Sequence, residues 1–297
     1  MKKVLTIACC VFLLSCEKDF DIEVGTTEQK LVVEAYISNQ SPLYTYVVLS
    51  KSVDYFNPIF QSIPVKNAQV SITEGNVIAN NIVWNAASKR VLSEVSSPLL
   101  PSVFANGLYI DPLAVINPSQ ALVGKVGKYY RLDVLYENNA YTGITNMPDT
   151  VRLDSVTYGF PFVNSDNENK CRITNHYKDP DTLGNTYFYY WRNVENKNRF
   201  GWAGLFKSRA PGRDDSNNGE YIRITHPQGI NYNDTITYML TSVNRNTHNF
   251  WDSYLDARNN NSPFSTPVLL QNYISGKNVV GCFMGLSVSE KTIITKP

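Results

Sequence analysis

The residue best equipped for chemistry is Cys16, which closes Leu13-Leu14-Ser15-Cys16 behind an apolar stretch from Val4 to Leu14 and the basic pair Lys2-Lys3. A basic start, a short apolar core and a small residue before a cysteine make a lipoprotein signal peptide over residues 1–15. Cleavage after Ser15 is expected to let the Cys16 thiol carry a thioether-linked diacylglycerol and its freed amine an acyl chain such as palmitate. At about 0.8 kcal/mol per buried methylene, several chains together anchor durably. The apolar stretch falls short of the roughly 20 residues that a spanning helix needs, so the expected attachment is by lipid alone.

The other reactive side chains are scattered. Cys9 and Cys10 precede the cleavage point, which leaves Cys171 and Cys282. An envelope compartment allows a disulfide between them, and two separately buried thiols are the equal alternative. Neither has the clustered partners of a metal site. His176, His226 and His248 are far apart, and each reads as a surface or turn residue. Two loops, residues 179–185 and 214–220, offer Asp179, Asp181, Asp215 and Asn217 as oxygen donors of the kind calcium takes. Neither follows the twelve-residue calcium-loop pattern, and tight turns stabilised by Asp and Asn side chains are the preferred reading. The chain has no Gly-x-Ser-x-Gly elbow, His-Glu-x-x-His pair or phosphate-binding glycine loop. A non-enzymatic protein without a cofactor is expected.

Aromatic side chains are the remaining resource, with 19 Tyr, 13 Phe and 4 Trp. In Thr186-Tyr-Phe-Tyr-Tyr-Trp-Arg192 the period of two puts Tyr187, Tyr189 and Trp191 on one strand face and Phe188 and Tyr190 on the other. All five are core if both faces are covered. Phe200, Trp202 and Phe206, set among glycines, form a candidate interface.

The elements that must hold these residues are mostly strands. Residues 30–37, 45–50, 64–75, 127–136 and 140–145 alternate apolar with polar or are rich in β-branched and aromatic residues, and Glu74-Gly75-Asn76 and Glu137-Asn138-Asn139 read as turns. Residues 85–126, punctuated by Pro98, Pro101, Pro112 and Pro118, read as loops across the end of a sandwich. Met147-Pro148-Asp149-Thr150 marks a boundary. Beyond it come strands at 151–158, 186–192, 220–225 and 234–242, a helix from Thr247 to Arg258 capped by Asn246 or Thr247, and a terminal core strand at 279–288. The fold class is mainly β: an Ig-like or prealbumin-like sandwich over residues 30–149, behind an acidic tether at 16–29, then a β-rich domain over 150–297 with one amphipathic helix. Removing Lys2 and Lys3 turns the formal net charge from +1 to −1, a balance that gives no electrostatic reason for nucleic-acid binding.

Taken in order, the lipobox with its Glu17-Lys18-Asp19 tail, Leu31-Val-Val-Glu-Ala35, Pro64-Val-Lys-Asn-Ala-Gln-Val70, Gly127-Lys-Tyr-Tyr-Arg-Leu132, Met147-Pro148 and Gly276-Lys-Asn-Val-Val-Gly-Cys-Phe283 resemble the Bacteroidota lipoproteins grouped as domain of unknown function 4249. Residues 64–75 with 127–137 are also similar to prealbumin-like modules found beside carboxypeptidases and at the front of transporters. Glu17, Asp19, Asp21 and Glu23 resemble the acidic export signals of such lipoproteins. The resemblance implies an outer-membrane, outward-facing location and an accessory, ligand-binding or interaction role at a TonB-dependent transporter. A structural or adhesive surface role without uptake is the alternative.

Overall fold

The computed structural model describes residues 28–53, 63–95, 107–163, 169–194, 210–227, 229–260 and 268–296. Cys16, residues 17–27 of the acidic tether, and Phe200, Trp202 and Phe206 lie outside the described residues. The fold is mainly β, as the alternation predicts.

The first half contains β1 (Leu31–Ser38), β2 (Tyr46–Lys51), β3 (Ile63–Pro64), β4 (Gln69–Ile78), β5 (Asn81–Trp84), β6 (Arg90–Glu94), β7 (Leu108–Ile110), β8 (Tyr129–Tyr136) and β9 (Asn139–Asn146). Its sheet order runs β1-β2-β7-β6-β4-β8-β9, and Val33, Ile37, Ile72 and Leu132 meet in its core with no exposed surface. Residues 85–126 therefore do more than cross the end of the sandwich. Two proline-free pieces among them, β6 and β7, join the β2 side of the sheet to the β4 side, with Leu92 and Tyr109 buried. Prolines punctuate this region without entering the two short ladders, so proline density alone misled the sequence reading.

The hairpin after β4 is also longer than its residues suggest. Gly75 is a strand residue, and the turn falls at Ala79-Asn80, both with positive φ, as a two-residue primed turn requires. Gly75 is small because Trp84 of β5 lies over it: a Cβ there would stand 2.7 Å from the indole. The expected turn after β8 forms, with Glu137 and Asn138 at positive φ.

The second half contains β10 (Leu153–Val163), β11 (Asn169–Lys178), β12 (Thr186–Asn193), β13 (Ala210–Arg213), β14 (Tyr221–Thr225), β15 (Ile230–Asn231), β16 (Thr235–Val243), the helix α1 (Arg245–Asn259), β17 (Ile274–Ser275) and β18 (Val279–Ile294). One sheet has the order β10-β11-β14, with β15 also on β11. The other runs β13-β12-β16-β18. A core of Val156, Ile173, Tyr177, Tyr187, Ile236 and Leu240 lies between them.

The last strand ties the halves together. Val279–Leu286 pairs in parallel with all of β1, while Ser287–Ile294 pairs antiparallel with β16. Strands buried on both faces read as continuous apolar runs, which explains Val279-Val-Gly-Cys-Phe-Met-Gly-Leu286. Gly281 backs directly onto the Val33 carbonyl, leaving no room for a side chain. Over this junction lies α1, whose Phe250 and Trp251 pack with Tyr36, Phe188, Met284 and Leu286. Its cap is Asn244, not Asn246 or Thr247: Asn244 Oδ1 accepts from the Thr247 amide at 2.8 Å. The Asn244 amide nitrogen also donates to Thr145 Oγ1 at 2.9 Å, so the cap fixes the helix to the first half.

Candidate binding cleft

Among the described residues, the two sheets of the second half each end in an edge that borders the same cleft, β13 in one and β14 in the other. Residues 214–220 cross between them. The result is a cleft of about 620 Å³ bordered by Gly212 and Arg213 on one side and Tyr221 to Thr225 on the other, with Tyr177, Tyr187, Tyr189 and His226 behind. That size falls in the usual range for small-ligand sites.

The closed end of the cleft is built from the two acidic loops, which the fold brings together. Asp179 is buried, and it accepts from the Tyr187 hydroxyl at 2.5 Å and from the Gly219 amide at 3.0 Å. Asp214, equally buried, reaches the other way and accepts on Oδ2 from the Gly184 and Asn185 amides at 2.7 and 2.8 Å. Each loop thus supplies a carboxylate that satisfies the backbone of the other, as buried amides require. Asp215 is exposed and pairs with Arg245 at 3.4 Å, while Asp181 and Asn217 are exposed. The four residues weighed as an alternative calcium set therefore do not converge: one is committed to the wall and three face solvent. Among the described residues, no group of three or more His, Cys, Asp or Glu side chains is placed to share a metal ion.

The back wall is a hydrogen-bonded aromatic layer. Tyr177 and Tyr189 share a hydroxyl contact at 2.7 Å, and His226 Nε2 lies 2.7 Å from the Tyr238 hydroxyl. Desolvation raises the pKa of Tyr177, Tyr187 and Tyr238 and pushes Tyr189 up to about 12. Burial holds the His226 imidazole below its ordinary value. These groups stay neutral at physiological pH and present a rigid wall. The opposite face of β12 is covered by α1, with His248 stacked on Phe188 at 6.3 Å. Both faces of the aromatic strand are thus packed.

Cys171 and Cys282 settle the disulfide alternative: both are free, both are buried, and they sit in different cores. His176 meets Thr157 Oγ1 at 2.9 Å on the outer face of β11, away from the other two histidines. The sequence reading missed the cleft residues Tyr177 and His226 as wall components. Asn169 to Lys178 carries the signal for the first, since Cys171, Ile173 and Tyr177 alternate inward. Nothing local reveals that β13 and β14 are both edges.

A family profile described as domain of unknown function (DUF4249) matches residues 17–292, nearly the whole chain. No curated protein matches it.

Proposed function

The chain belongs to the DUF4249 family, and from that premise we propose that it is a non-enzymatic, lipid-anchored binding protein of the outer membrane whose cleft captures a ligand beside a TonB-dependent transporter. The cleft between the edges of β13 and β14 carries this reading. Along its wall Asp179 and Asp214 accept from backbone amides, Tyr177 and Tyr189 share a hydroxyl contact and Tyr187 donates to Asp179, which suits a preformed wall better than an acid–base pair poised to react. The anchoring rests on the lipobox ending at Cys16. The outward orientation rests on the acidic residues that follow, and the transporter on the family resemblance.

Native purification from membranes tests the association, with a porin-sized barrel expected to co-purify. Recovery of the monomer alone, from cells whose uptake is normal without the protein, would favour a structural or adhesive role instead. Globomycin tests the anchor: treated cells should accumulate the precursor, and an unmodified Cys16 in the mature protein would remove that part of the proposal. Protease shaving of intact cells should release the folded part, whereas full protection would place it on the periplasmic face.

A further inference from the structure

We infer that the β14 edge takes an extended peptide as an added antiparallel or parallel strand. This rests on the reading of the cleft as a ligand site and names its ligand class.

The backbone register carries the argument. Beyond the two ends of β14, the His226 amide donates to the Ile173 carbonyl and the Asp179 amide to the Glu220 carbonyl, both at 2.9 Å. With the pairing Thr174 to Thr225 through Lys178 to Tyr221, the even-numbered residues 220–226 exchange bonds with β11. Alternation in an antiparallel ladder then turns the N–H and C=O groups of Tyr221, Arg223 and Thr225 away from β11, along the edge that borders the cleft.

The edges of this half are not equivalent. Exposed edges are normally blunted by proline, bulges or charge. The β10 edge has register breaks at Leu153/Ser155 and Gly159/Phe162 and carries Pro161. On β13, the flanking bond from the Val194 amide to the Thr235 carbonyl assigns the even residues of β12 to β16, so Pro211 falls at a position facing away from β12, where its missing N–H is harmless. Among the described residues only β14 of these three keeps both an unbroken register and a full set of outward donors and acceptors, and it borders the cleft along its whole length. Its five residues span about 17 Å at the usual rise. The tyrosines behind are at most 7% exposed, so they offer little ring surface for a sugar to stack on. The outward N–H and C=O groups of β14 form a regular row along the cleft, and an extended polypeptide repeats its own groups at the matching period.

The test is an immobilised library of random octapeptides probed with the full-length protein, followed by a single N-methyl scan of the tightest binder. Strand addition predicts that N-methylation weakens binding at least tenfold at every second amide and is tolerated at the amides between. Arg223→Pro removes one outward donor without touching the β11 ladder and should lose at least tenfold more binding than Arg223→Ala, which removes the same side chain but keeps the donor. If the proline variant fails to fold, the scan on the unaltered protein still decides. Uniform tolerance of N-methylation, or equal losses in the two variants, would overturn the inference. So would a concentration-dependent dimer that Arg223→Pro dissolves, since a second copy would then own the edge. An oligosaccharide array run in parallel separates the two readings: oligosaccharide binding without peptide binding ends the peptide inference and leaves a ligand-binding cleft standing, and silence on both arrays ends both.

Discussion

Cys282 sits at 1% exposure beneath α1, where burial pushes its thiol up to about 12, and desolvation raises the Cys171 thiol as well. Since the thiolate is the reactive form, neither should react with an aromatic disulfide reagent in the folded protein at pH 8, and both should react once it is unfolded. A fast-reacting equivalent from either position under native conditions would contradict the packing. Histidines give a second prediction at this scale. Burial lowers the pKa of both His226 and His248, and the nearby Arg213 guanidinium lowers that of His248 further. The unfolded chain then binds more protons than the folded one as pH falls from the ordinary 6.5 toward the folded values, so stability is present above that range and is lost on acidification. The melting temperature should fall between pH 7.5 and 5, with a shallower fall in His226→Gln. A melting temperature that rises on acidification would reverse the sign. Residue identity revealed little of this: His226 and Cys282 are defined by what closes over them, and those contacts come from distant segments.

Single elements were more legible, because amphipathic period and turn chemistry are local. The alternation of β4, β8 and β9 and the apolar spacing of α1 emerge where the residues place them. Errors arose where one local sign outweighed another. Gly75 reads as a turn but serves as the flat seat of Trp84, and prolines around β6 and β7 hid two short strands. The cap of α1 shows the same limit, since Asn244 is chosen over its neighbours by bonds to Thr145 and Asn146 across the junction. Asn244→Ala should therefore cost more than the usual ~1 kcal/mol of a lost N-cap, because the Asn146 amide oxygen loses its Asn244 donor and Thr145 Oγ1, which keeps the Gly285 amide, loses the same donor; about 2 kcal/mol or more is expected in urea unfolding. A loss of a few tenths would mean that the helix end is held by packing alone. The acidic loops make a comparable case. Asp179→Ala leaves the Gly219 amide and the Tyr187 hydroxyl without partners, at about 1–3 kcal/mol for each buried group, and calcium should not restore the loss.

On the scale of the whole molecule, the decisive element is the one whose two halves serve different neighbours. β18 completes the first sheet through Val279–Leu286 and the second through Ser287–Ile294, and α1 seals both over one apolar cluster. No local pattern announces this. A parallel partner for β1 can come from any apolar strand, and the sequence separation between Leu31 and Val279 conceals it. Residues 30–149 alone would leave Val33, Ala35 and Ile37 on a strand lacking its parallel neighbour, and residues 150–278 would leave β16 as an open edge. The halves should accordingly unfold as one unit, with equal calorimetric and van't Hoff enthalpies for the soluble protein. Gly281→Val forces a side chain against the Val33 carbonyl and should lower the single transition by several degrees without splitting it. Its effect should register equally in tyrosine signals from the second half and in the indole signal of Trp84 in the first. Two separated transitions, or a shift confined to the Trp84 signal, would show that the shared strand does not couple the halves. Coupling also bears on the cleft: the sheet of β13 runs through β16 into β18, and the sheet of β14 packs on it across a shared core, so a ligand in the cleft should raise the one transition shared by the entire chain.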